Sequence, residues 1–325
     1  MQELVQEISR YENPTWQQVM LVYVPSSENS REPLYSRTDN AARNNAAREA
    51  AGKPVIITAT PNICWLHPEV PYPTTPEEMA EEAALCAENG ASVLHVHGEA
   101  NWAAYISKVR SRTDVIIQCG MSSLPLESRM EALESGTDML SVIASHHDEA
   151  FAGDVETNVL HTRSELQSYA DTCARYAVRI EFEIWHTGSI WNLAYLIQHG
   201  MIQPPFVTTM FFNWPGGTWS PADIEEYLHR RRYMPKDSVI TVSIMGEGQL
   251  ELIACALARG DHVRVGTEDN PYSRSGSIVP TYELVREAAE MARSMGRSIA
   301  TPAMARQMLG IPDRTSTTSK DKASR

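Results

Sequence analysis

From residue 54 onward the chain repeats one unit: a short apolar run, a polar turn, then a longer amphipathic segment. The runs are VIITAT (55–60), SVLHVH (92–97), DVIIQC (114–119), DMLSVI (138–143), RIEFEIW (179–185), FVTTMFF (206–212), SVITVSI (238–244) and HVRVGT (262–267). Each has strand length and reads as buried on both faces. Between them fall helix candidates near 101–112, 126–135, 161–175, 189–199, 221–232, 249–259 and 282–295, with the clearest at TTPEEMAEEAALCAENG. There Thr75 is placed to cap, Pro76 takes the first helical position, Glu78 completes a capping box and Gly90 ends the helix. Continuous apolar strands alternating with helices predict a parallel sheet covered by helices, and eight such units closing on themselves make a (β/α)₈ TIM barrel. An open doubly wound sheet is the competing fold. It lacks its usual nucleotide signal, since no first strand is followed by GxGxxG or GxxxxGK[ST].

Residues 1–53 stand outside this rhythm and read as an N-terminal extension or arm, placed to pack on a neighbouring subunit. Residues 54–312 form the catalytic barrel, and 313–325 a polar, disordered tail. No run approaches the roughly 20 apolar residues of a membrane helix, and the N-terminus has no leader pattern, so a soluble, cytoplasmic protein without a membrane partner is expected. The formal charge of -13 argues against nucleic acid. Cys64, Cys86, Cys119, Cys173 and Cys255 are odd in number and scattered, which predicts reduced, mostly buried thiols instead of a disulfide framework or a cysteine zinc site.

In such a barrel the chemistry sits where strands end, so polar residues at the ends of the runs carry the information. His95 and His97 share one face of a strand end, and two imidazoles converging there are able to bind one divalent ion. The last run supplies Glu268 and Asp269 in GDHVRVGTEDNPY, and the eighth strand of a closed barrel neighbours the first. Two histidines and a carboxylate with an open position make a common catalytic zinc set. Taken singly, TEDNP is an ordinary acidic turn and Arg264 an exposed strand residue; with the two histidines they form a constellation. Trp65 and Trp214 sit in loops after strands, where they either wall a pocket or cap the rim.

HVRVGTEDNPYSRSG, HVH on the second run, PYPTTPEEMAEEA before it, FFNWPGG after the sixth, and GRSIATPAMARQMLGI near the end resemble the β-keto acid cleavage enzyme family. The resemblance implies a (β/α)₈ barrel assembled as a homotetramer. It implies a divalent metal, normally Zn²⁺, and condensation of a β-keto acid with acetyl-CoA to give acetoacetate and a new acyl-CoA. By the same resemblance His95, His97 and Glu268 are the metal ligands, and Asp269 is the general base, held by Arg264. Ser141 stands where the family has a threonine near the reacting carbonyl, and Glu183 matches a pocket glutamate.

The chain departs from the family around the substrate. Gly98 and Glu99 follow the HxH where the family carries an arginine, Gly120-Met121-Ser122-Ser123 replaces a serine-threonine-glycine-glycine turn, and Trp65 stands in place of a glutamate. A changed keto substrate is therefore expected; hydrolysis or retro-aldol cleavage without CoA is the alternative. Metal-dependent amidohydrolases also use HxH, on the first strand with further histidines, for which His146, His147 and His186 are the spare candidates. Glu99, a like charge where an arginine would grip a carboxylate, is expected to exclude the small carboxylate-ended substrates of the typical family member. Purified protein should therefore turn over 3-keto-5-aminohexanoate far more slowly than other β-keto acids, and equal rates would disprove this reading of Glu99.

Overall fold

The computed structural model describes residues 50, 52–65, 67–98, 101–148, 158–216 and 218–312. The expected N-terminal arm up to residue 49, Glu99 and the tail from 313 lie outside the described residues. Eight parallel strands close into a barrel in the order β1, β2, β3, β4, β7, β8, β9, β10 and back to β1. They are β1 (Ile57–Ala59), β2 (Val93–Val96), β3 (Ile116–Cys119), β4 (Met139–Ile143), β7 (Arg179–Ile184), β8 (Phe206–Phe212), β9 (Ser238–Ile244) and β10 (His262–Val265). All eight runs are strands, and the β1–β10 pairing, Thr58 beside Arg264, closes the ring that a doubly wound sheet would leave open.

Helices α1 (Pro76–Asn89), α2 (Trp102–Arg112), α3 (Met130–Glu134), α4 (Arg163–Arg175), α5 (Thr187–Gln198), α6 (Ile224–Tyr233), α7 (Gln249–Ala258) and α8 (Thr281–Ser294) follow the expected segments. Helix α1 has the capping box: Thr75 Oγ1 accepts from the Glu78 amide, the Glu78 carboxylate accepts from the Thr75 amide, and Gly90 ends it at φ 118°. A 3₁₀ turn, Leu126–Arg129, takes the first half of the segment predicted as helix over 126–135. Two elements go beyond the sequence reading. A hairpin of β5 (His146–Asp148) and β6 (Asn158–Leu160) interrupts the β4-to-α4 connection, and α9 (Pro302–Leu309) is capped by Thr301 and ended by Gly310 at φ 64°.

The strands alternate in a way that the apolar runs concealed. One set of side chains, including Leu94, Ile117, Leu140, Phe182 and Met210, packs on the surrounding helices as the main core. The opposite set points into the barrel. At one end that set is apolar, where Ile56, Val93, Ile116, Met139 and Val207 pack against Ala305 and Leu309 of α9. Further along the strands it turns polar with His95, Gln118, Ser141, Glu181, Thr209 and Arg264, all buried. The bottom of the barrel is thus a plugged apolar core and its upper half a chemical interior.

Buried arginines tie the carbonyl ends of the strands together. Arg129 donates to Ser141 O, Cys119 O and Gly120 O. Arg230, the first of three consecutive arginines in the sequence, is fully buried. It donates to Ile184 O, Trp185 O and Phe211 O, lies 3.8 Å from the Phe212 ring centroid and pairs with Glu226 at 3.2 Å. Replacing Arg230 by Met strands three buried carbonyls, so urea unfolding should show a loss of roughly 3–5 kcal/mol. A loss under about 1 kcal/mol would mean that these carbonyls find other partners.

Candidate active site

β2 carries His95 and His97 to the carbonyl end of the barrel, where a loop from β1 holds them. The His97 amide donates to Asn62 Oδ1 at 3.1 Å while Asn62 Nδ2 donates back to His97 O at 2.7 Å. This two-way clamp fixes the backbone from which the second imidazole projects. His95 Nε2 and His97 Nε2 stand 3.0 Å apart, and Glu268 Oε1 lies 3.1 Å from His97 Nε2. The other carboxylate oxygen, Oε2, is buried without a hydrogen-bond partner and 3.8 Å from His95 Nε2. One ligand atom from each residue falls within 4.8 Å of the others.

This arrangement fits a divalent ion. Two imidazole nitrogens at about 2.1 Å from one ion would lie roughly 3.0–3.4 Å apart, and a buried, unpartnered carboxylate oxygen beside them is otherwise costly. The space is kept open by Gly120, where a Cβ atom would meet His97 Nε2 at 2.9 Å and His95 Nε2 at 3.0 Å. His95 is kept neutral by burial first, and then by the Arg264 charge. A neutral imidazole is what a metal requires.

Glu268 and Asp269 are adjacent, and Arg264 holds both. The guanidinium donates from Nη2 to Glu268 Oε1 at 2.6 Å and to Asp269 Oδ1 at 2.9 Å, and from Nε to Asp269 Oδ2 at 3.1 Å. Ser243 Oγ donates as well, to Asp269 Oδ2 at 3.0 Å. Burial works against the charge on Glu268, but Arg264, His97 and His95 outweigh it and hold the carboxyl low. Burial and the neighbouring Glu268 charge raise Asp269, against the pull of Arg264.

A cavity of ≈ 80 Å³ opens at this end of the barrel. His95, His97, Glu268 and Arg264 form one side, with Ser122 and Ser123 beside them. Trp65 and Trp214 line it, the first of the two sequence alternatives, together with Met121, Trp185 and Phe211. Trp185 stacks on Phe211 at 4.4 Å between centroids, with Trp214 edge-on to both. Glu183 faces the cavity, accepts from Trp185 Nε1 at 3.1 Å, and is raised by burial.

Two expected residues are placed elsewhere. Asp269 is fully buried and does not line the cavity, and Ser141 is fully buried on β4 with its hydroxyl directed at Cys119 O, 3.4 Å away. Of the spare histidines, the His147 side chain lies outside the described residues, and His146 and His186 are not in the His95, His97 and Glu268 group. His186 caps α5, accepting from the Gly188 amide, and its Nε2 lies 3.2 Å from His146 O on the hairpin. Residues that the sequence reading missed are Asn62, Gln118, Glu181, Ser243, Trp185 and Phe211. A signal for Glu181 was present: RIEFEIW places two acids at i and i+2 on a buried strand, one face of which must then be polar.

The fold and site define a (β/α)₈ barrel with a His-His-Glu donor set beside a buried arginine–carboxylate pair. The sequence model of the beta-keto acid cleavage enzyme family matches residues 54–311, and the chain belongs to that family. It is 30% identical over 281 residues to the 3-keto-5-aminohexanoate cleavage enzyme of Fusobacterium nucleatum, covering 79% of this chain and 98% of that protein. It is 25% identical over 303 residues to the 3,5-dioxohexanoate:acetyl-CoA acetone transferase of Paraburkholderia graminis, covering 81% and 97%. The apo structure of ObcA shares the fold with a TM-score of 0.61 at 17% identity; the match spans 74% of this chain and 65% of the length of that one.

The triad makes a direct test possible. Elemental analysis of the purified protein should find near-stoichiometric metal, lost in His97→Ala. In Gly120→Ala, whose added methyl presses on both ligand nitrogens, zinc affinity should drop by about 10-fold or more with the fold intact. Full metal in His97→Ala would remove the triad as the site.

Proposed function

We propose that this chain is a metal-dependent acyl-exchange enzyme, converting a β-keto acid and acetyl-CoA into acetoacetate and a new acyl-CoA. Family membership supports the reaction class, and the relative from Paraburkholderia graminis carries acetyl-CoA in its name. The observation that carries the metal reading is the convergence of His95, His97 and the unpartnered Glu268 oxygen on one point of the cavity. Two imidazoles and a carboxylate favour zinc over magnesium, and such an ion supplies Lewis acidity toward substrate oxygens when bound.

The protein's own groups account for proton transfer and fit. The reaction begins with removal of a proton from the carbon between ketone and carboxylate. The resulting enolate attacks the acetyl thioester and expels the CoA thiolate, the thiolate attacks the original ketone carbon, the bond from that carbon to the deprotonated carbon breaks, and the departing acetoacetate carbanion takes the proton back. Asp269, which does not itself line the cavity but is buried directly against the cavity-lining Arg264, takes the first proton in this reading. Its carboxyl is raised by burial toward the range useful for a base, and Arg264 and Ser243 orient it. Glu183 faces the substrate, and the aromatic wall of Trp65, Trp185 and Trp214 excludes water from it. Ser122 is a hydroxyl donor at the cavity, and Ser141 supports the strand behind it. A homotetramer, a cytoplasmic location and an N-terminal arm up to residue 53 belong to the same proposal.

A panel of β-keto acids with acetyl-CoA, scored for acetoacetate and new thioesters, tests the activity; absence of thioesters across the panel would overturn it. Asp269→Asn should keep its metal and lose about 10²–10⁴-fold in turnover, the cost of a missing general base. Glu183→Gln should mainly change KM. If Glu183→Gln instead suffers the larger kcat loss while Asp269→Asn turns over normally, the proton goes to the carboxylate that the cavity exposes.

A further inference from the structure

Beneath the triad, a line of buried polar side chains runs across the barrel interior. His95 Nδ1 and Gln118 Oε1 are 2.9 Å apart on the paired strands β2 and β3. Gln118 Nε2 donates in turn to Glu181 Oε2 on β7. The intervening strand, β4, presents only the small Ser141 in register with Glu181, so the amide reaches across it. All of these side chains are at most 5% exposed, and the Thr209 hydroxyl also bonds to Glu181.

The order of groups along this line has a direction. Burial first, and then the neighbouring Glu183 charge, raise the Glu181 carboxyl to about 7; in its ionised form it only accepts, so it draws the NH₂ end of the Gln118 amide toward itself and leaves the carbonyl end facing His95. A carbonyl also only accepts, so His95 must carry its proton on Nδ1. Its Nε2 then presents a lone pair toward His97 and Glu268. With the amide reversed, His95 would carry the proton on Nε2 and would be unable to ligate.

We propose that Glu181, acting through Gln118, is a positioning residue that locks His95 in the metal-binding tautomer. The proposal rests on the His95, His97 and Glu268 metal reading. Its distinctive consequence is that polarity along the line matters, and not merely its being filled. Exchanging the two residues keeps an acceptor against His95, a carboxylate in place of the carbonyl, and puts the amide beyond it.

Zinc affinity of the full chain, measured by competition with a chromophoric chelator, tests this, with circular dichroism to confirm folding. Glu181→Leu and Gln118→Leu should each bind zinc about 10–100-fold more weakly than the native chain, as expected when a ligand histidine loses its outer partner. Gln118→Glu alone sets two carboxylates against each other and should be weakened as well. The double variant Gln118→Glu/Glu181→Gln should recover affinity to within roughly threefold of the native chain. Native affinity in Glu181→Leu, or a double variant no tighter than Gln118→Glu, overturns the lock while leaving the metal site standing. A native chain that takes up no zinc overturns the metal reading and the lock together.

Discussion

Everything at the mouth of this barrel is organised around one buried cation. Arg264 is 3% exposed, and it is held by Glu268, which completes the histidine pair, and by Asp269, which Ser243 also secures. Its guanidinium lies 5.2 Å from the Phe211 ring centroid and 5.8 Å from that of Trp214. Losing one partner of a buried pair costs about 3–5 kcal/mol because the other charge is left uncompensated. Arg264 therefore couples ligand geometry, the candidate base and the apolar wall into one unit, and none of these groups is free to move alone.

That unit is possible because the barrel interior is layered. The apolar layer closed by α9 anchors the strands at one end, and this rigidity allows the next layers to be polar without collapsing or admitting solvent at random. Arg129 and Arg230 add a second constraint, since each gathers three backbone carbonyls where the strands end and the site begins. Carbonyls that would otherwise point into an apolar rim are satisfied. The cavity residues on the adjoining loops thus start from fixed positions.

The barrel itself was legible because eight runs alternate with eight amphipathic segments, and the period leaves little choice of architecture. The triad was legible because His95 and His97 stand on one strand face and Glu268 ends the strand that closes the ring. Interior chemistry was less so. Gln118 and Glu181 lie in runs dominated by Ile, Phe and Val, and their partners are on other strands, at sequence separations that no local pattern encodes. Arg230 was hidden for a similar reason: it is the first of three consecutive arginines, and nothing in that run tells that Arg230 is buried while Arg231 and Arg232 lie on the partly exposed side of α6. The helix α9 went unpredicted because its eight residues carry no repeat of the strand–helix rhythm, and its role as a plug depends on the barrel already being closed.

The balance of charge also bears on how an acidic substrate is held. With a formal charge of -13, the chain as a whole repels an acidic substrate. Among the described residues lining the cavity, Arg264 is the guanidinium, and its Nε and Nη2 are already engaged by carboxylates. In the proposed reading, a cation held by His95, His97 and Glu268 supplies the attraction for a keto acid's carboxylate. The cavity otherwise presents Trp65, Trp185, Phe211 and Trp214, an apolar surface that offers shape and not charge. Loops after barrel strands vary without disturbing the strands beneath them. Recognition is therefore free to change in this fold while Arg264 and its two carboxylates, each dependent on the other for compensation, are held in place.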